Sequence, residues 1–157
     1  MDNAVVFSTP APTFVSITMG KSLLYRLFGV GKIPKLLRDT MGIEGIVVSD
    51  EGIPGSVTYR DFRAPGKYFS WKKQAFTGSV VVTNIRLVAL MYSSFAVNVP
   101  FTDERIHKLQ ISFEGDRLVI AFDPGVFHDD WSGTIEYRFR TPQAQGMVKS
   151  IQDLSNT

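Results

Sequence analysis

Between Gly78 and Phe101 the chain reads GSVVVTNIRLVALMYSSFAVNVPF, three apolar runs parted by two short polar breaks. Val80, Val81 and Val82 are β-branched and pack well on a pleated surface. Thr83-Asn84 interrupts them, and Asn tolerates the left-handed backbone that a tight turn needs. Arg86 to Tyr92 is the second run, Ser93-Ser94 the second break, and Phe95 to Val99 the third run. Pro100 has no N–H to donate, so it ends the pairing or lies at an edge. The pattern predicts a three-stranded meander.

The rest of the chain sorts by the same periodicities. Ala4 to Phe7 and Phe14 to Ile17 are short apolar runs split by Pro10 and Pro12, read as an edge pair or a wrapping arm. In KSLLYRLFGVGKIPKLLRDTMG, Ser22 is a plausible N-cap and Leu23, Leu24, Leu27 and Phe28 fall at helical spacing. Gly29 and Gly31 break that helix. Pro34 opens a second, with Leu36, Leu37 and Met41 on one face and Gly42 as its stop. Ile46 to Val48 reads as a brief strand, Gly52, Pro54 and Gly55 as a turn, and Val57 to Phe62 as a strand with Val57 and Tyr59 opposite Thr58, Arg60 and Phe62. Ala64-Pro65-Gly66 is a turn, and Tyr68 to Phe76 extends into the meander. Beyond it, His107, Leu109, Ile111 and Phe113 alternate with polar residues, which predicts a strand with His107 on its apolar face. Glu114-Gly115-Asp116 turns the chain into Leu118 to Phe122. A polar loop from Asp123 to Gly133 leads to Thr134 to Arg140, with Ile135, Tyr137 and Phe139 inward. Thr141 as cap and Pro142 at the first position start a final helix, on which Ala144, Met147, Val148, Ile151 and Leu154 form one stripe.

Composition narrows the function classes. The 157 residues include no cysteine, which removes disulfides, thiolate metal sites and thiol catalysis. A net charge of +2 does not by itself point to nucleic acid, and none is expected as a partner. No apolar run reaches the length of a membrane-spanning helix, and the N-terminus, with an early Asp and no basic stretch, does not read as a signal peptide. The expectation is a soluble, cytoplasmic protein, peripheral to a membrane at most.

The segment GSVVVTNIRLVALMY is similar to the G-x-hydrophobic-TN-x-RL-hydrophobic run of GRAM domains and bacterial pleckstrin-homology-like domains, with Gly78, Thr83, Asn84, Arg86 and Leu87 at the matching places. The resemblance extends more loosely from about Val57 to Leu154. It implies a mainly β fold: a partly open, seven-stranded barrel of two near-orthogonal antiparallel sheets, capped by the C-terminal amphipathic helix. Residues 46–157 then form the pleckstrin-homology-like domain and residues 1–45 a strand and helix extension. Met147 stands where eukaryotic members usually carry a Trp in that helix.

Three groups of residues could carry function. Arg60, Arg63, Lys67, Lys72 and Lys73 surround one predicted hairpin, which looks like the basic hairpin that grips inositol phosphates in lipid-binding pleckstrin-homology domains. Cations beside free backbone donors suit a phosphate. The competing account is a solvated turn whose long side chains cover apolar surface. Lys21, Arg26, Lys32, Lys35 and Arg38, interleaved with leucines, suit a membrane-surface helix or one packed on the barrel or on a partner chain. Asp123, His128, Asp129 and Asp130 share a loop and are proper ligand types for a divalent metal, but their spacing matches no metal motif and is equally ordinary turn chemistry. No nucleophile elbow, phosphate-binding loop or dinucleotide fingerprint is present. The sequence therefore favours a non-enzymatic binding module that needs no cofactor. Its partner would be a protein, itself included, or an acidic lipid head group. A small metal-dependent hydrolase centred on Asp123 to Asp130 is the alternative. The apolar surface of residues 21–41 predicts self-association or a cover for the barrel.

Overall fold

The computed structural model of the chain describes residues 31–157. Helix α1 (Lys35–Glu44) precedes seven strands: β1 (Ile46–Ala64), β2 (Lys67–Thr83), β3 (Arg86–Met91), β4 (Ser94–Pro100), β5 (Gln110–Glu114), β6 (Arg117–Phe122) and β7 (Ser132–Arg140). Helix α2 (Ala144–Ser155) ends the chain. The strands form one antiparallel sheet in the order β4-β3-β2-β1-β7-β6-β5, which is not closed into a barrel, so β4 and β5 are its edges. Among the described residues no helix is long and apolar enough to cross a membrane.

Alternation along β2 sends side chains to two separate packed layers. Val80 and Val82 join the main core with Leu87, Leu118, Ile120 and Phe139. Val81 points the other way and packs with Val88, Leu90, Ile33 and Met41. Helix α2 covers the main core through Ala144, Met147, Val148 and Ile151, all buried as the sequence stripe predicts, with Leu154 half-buried. Helix α1 covers the opposite face of β2 and β3, mainly through Met41 with help from Leu37. The expected turns at Pro65-Gly66 and Gly115-Asp116 join β1 to β2 and β5 to β6.

Several local expectations are corrected by tertiary pairing. Gly52, Pro54 and Gly55 do not form a turn; they lie inside the 19-residue strand β1. The register shifts between Glu51 and Ile53, and Gly52 has φ 72°, so the turn-prone glycine makes a bulge instead. Pro54 is tolerated because β7 pairs with β1 only from Gly55 onward, leaving Pro54 a strand partner on one side alone. Phe62 joins Val57 and Tyr59 on the inner face rather than opposing them, because Asp61 has φ 49° and the β1–β7 register slips between Arg60 and Arg63. The left-handed residue near the meander is Tyr92 (φ 58°), not Asn84.

The expected strand from His107 starts late. Glu104–Lys108 is a 3-10 helix, with Asp103 accepting from Arg105 N, and His107 is exposed rather than in the core. Helix α1 runs past Gly42 to Glu44 and ends at Gly45, whose φ of 91° suits a glycine. Helix α2 begins after Pro142 with Gln143 at the cap; the buried Thr141 hydroxyl accepts from Gln143 N and donates to Asp50. The predicted strands at 4–17 and the helix from Ser22, with Lys21 and Arg26, lie outside the described residues.

Candidate functional site

The five basic residues of the predicted hairpin do not converge. Pairing of Thr58 with Lys73 and of Arg60 with Trp71 places Arg60, Trp71 and Lys73 on the outer face of the sheet. Lys72 lies on the inner side, its ammonium 4.5 Å from the centre of the Phe69 ring, and Lys67 lines an inner cavity. The Arg63 guanidinium stacks 4.4 Å from the Tyr68 ring centre.

Lys73 instead meets basic residues from the other half of the sheet. A cleft of about 220 Å³ on the outer face is lined by Pro54, Gly55, Ser56, Lys73, Arg117, Arg138 and Arg140. Register explains the assembly: Ser56 faces Arg138 across β1 and β7, and Arg140 faces Arg117 across β7 and β6. Gly55 lets the strands approach, since a Cβ there would sit 2.6 Å from the core Phe76 ring and 2.9 Å from the Arg138 carbonyl oxygen.

The cations of this cleft are unequally committed. Arg138 donates to Glu114 (2.7 Å) and to Glu136 (2.6 Å), and Arg60 donates to the second oxygen of Glu136 (3.1 Å). Burial pushes the Glu136 carboxyl up, but hydrogen bonds from Arg138 and Arg60 outweigh it and hold the group below its ordinary value. Arg140 makes a longer, exposed contact to Asp116 (3.3 Å). Lys73 and Arg117 have no ion-pair partner among the described residues. Arg117 and Arg140 stand directly opposite each other, with Glu114 facing Arg117 on β5 and Asp116 beside Arg140, so the repulsion between them is offset only in part by exposed carboxylates. The cleft can therefore take an anion of phosphate type through Arg117, Arg140 and Lys73, with the Ser56 hydroxyl as a further donor.

The candidate ligands of the Asp123 to Asp130 loop have other local contacts. Asp123 accepts from Gly125 N (2.8 Å) and caps a 3-10 turn at Pro124–Val126. The His128 ring stacks on Trp131 at 3.8 Å, and Asp129 and Asp130 are exposed. Among the described residues, no three His, Asp or Glu side chains gather as a metal would require.

Sequence reading missed Arg117, Arg138 and Arg140. Their outward alternation with Leu118, Tyr137 and Phe139 is visible in the chain, but the pairing that sets them beside Lys73 is not. No protein-family model matches the chain, and no curated protein matches it.

Proposed function

We propose that this protein is a non-enzymatic binding module of pleckstrin-homology-like architecture whose outer sheet face takes an acidic lipid head group. The architecture is supported by the strand order, by the long β1 shared between β2 and β7, and by α2 across the inner layer. In this reading the bulges at Gly52 and Asp61 bend β1 between two near-orthogonal sheets.

The observation that carries the ligand is that Lys73 and Arg117, which have no ion-pair partner among the described residues, stand beside Arg140 in one cleft. Trp71, 62% exposed on the same face two residues from Lys73, supplies an amphipathic ring of the kind that settles at a membrane–water boundary. Full-length protein is expected to sediment with phosphatidylcholine vesicles containing a phosphoinositide and not with phosphatidylcholine alone. Lys73→Glu with Arg117→Glu removes that binding, and added salt weakens it, because exposed charges are screened within about 8 Å at physiological ionic strength. Wild-type protein that stays in the supernatant at low salt rejects the proposal.

A further inference from the structure

The inner face of the sheet carries a second cavity, which shares no lining residue with the basic cleft. It has a volume of about 310 Å³, within the range of small-molecule pockets. Its walls are aromatic. Tyr59, Phe62 and Phe69 of the β1–β2 hairpin have ring centres 5.2–5.8 Å apart, and Trp131 meets Phe62 edge-on at 5.5 Å. Phe122 and Phe127 form the other wall, 5.3 Å apart, and Phe95 of edge strand β4 stands at the mouth, about half exposed. None of the α2 residues lines the cavity, so this end of the core is left without a cover from that helix.

Its polar lining comprises Tyr59, Tyr137, Lys67 and His128, whose ring stacks on Trp131. Tyr59 and Tyr137 line the cavity, and neither hydroxyl has a hydrogen-bond partner among the described residues. Burial pushes the Tyr137 phenol up to about 12, with the neighbouring Tyr59 adding to the effect, so it stays a neutral donor. Burial likewise raises the Tyr59 phenol. Lys67 is in the lining and the Lys72 ammonium sits over Phe69, while among the described residues no Asp or Glu contributes to the wall. Donors and cations with no acid among them favour an anionic head, and stacked and edge-on rings favour a flat body.

We propose that this cavity is a binding site for a planar aromatic carboxylate of one or two fused rings, its carboxylate held by the Tyr59 and Tyr137 hydroxyls with Lys67 at the mouth. The site is independent of the lipid reading, since its residues lie on the opposite face of the sheet from Lys73 and Arg117.

The test is titration of the full-length protein with naphthalene-2-carboxylate by calorimetry, with the Trp131 indole N–H resonance followed in parallel and assigned through Trp71→Phe. Saturable binding that shifts the Trp131 signal is expected. Tyr137→Phe keeps the ring and removes only the hydroxyl, and weakens binding about tenfold, the scale of one hydrogen bond to a charged group. Ala96→Trp, which adds a ring at the mouth, abolishes binding while the protein stays folded by circular dichroism. Lys73→Glu with Arg117→Glu leaves the affinity unchanged. The proposal is overturned by an absence of saturable binding at millimolar ligand, by equal affinity for naphthalene-2-methanol, or by tighter binding of decanoate.

Discussion

The β2–β3 turn shows how single side chains hold the fold. A Cβ at Gly78 would meet the Leu90 carbonyl oxygen, so β2 and β3 approach closely only with glycine there. The Thr83 hydroxyl accepts from Ile85 N and Arg86 N and donates to Glu44, which ties the turn to the end of α1. Asn84 donates to the Glu44 carbonyl oxygen, and Arg86 pairs with the Glu44 carboxylate at 3.0 Å with both side chains mostly buried. Leu87 is fully buried. Each of these five residues has a structural task here. A second residue-scale case is Glu136, whose carboxyl is held below its ordinary value of 4.5 in the folded state. A lowered folded value means that the stability it contributes is fully present above about pH 4.5 and is lost as pH falls through the folded value. Urea unfolding followed from pH 7 downward is expected to show wild type losing stability more steeply than Glu136→Gln below that point. Parallel curves would show that the Arg60–Glu136–Arg138 cluster contributes nothing to folding.

Among elements, α2 has the clearest dependence on one face. Ile151 is 3% exposed and surrounded by the main core. Ile151→Asp places an unpaired carboxylate there, and a loss of about 3 kcal/mol or more is expected in thermal or urea unfolding. A variant as stable as wild type would mean that the docked face is not required. Strand β1 shows the opposite behaviour, since its local chemistry argues against a strand. Gly52, Pro54 and Gly55 are turn residues by preference, yet pairing with β2, joined by β7 from Gly55 onward, keeps this stretch in the sheet, with Gly52 taken up in a bulge. A second irregularity, at Asp61, turns Phe62 inward.

For the molecule as a whole, the two packed layers on either face of β2 and β3 define separate energetic units within one sheet. Val81 belongs to the α1 layer and Ile151 to the α2 layer, with no shared cluster. Val81→Ala is expected to cost about 2 kcal/mol and Ile151→Val about 1 kcal/mol. The double variant should lose the sum within about 0.5 kcal/mol, as independent sites do. A strongly non-additive result in denaturant unfolding would show that the sheet transmits packing changes between its faces. The same two-sidedness separates the proposed ligands, anionic lipid outside and aromatic carboxylate inside.

Periodicity alone determined much of this protein. The meander from Gly78, the hairpin turns at Pro65-Gly66 and Gly115-Asp116, the inward Ile135, Tyr137 and Phe139, and the buried stripe of α2 all follow from local pattern and turn chemistry. These features depend on neighbours a few residues away, so the chain states them directly. The continuity of β1, the inward turn of Phe62, the exposure of His107 and the meeting of Lys73 with Arg117, Arg138 and Arg140 depended on which strands lie side by side. Register is set by the burial of whole faces and by bulges at Gly52 and Asp61, and one residue of slip exchanges the two faces of a strand. A basic cluster read along the chain was therefore divided between faces, and the cluster that formed drew its members from strands far apart in sequence.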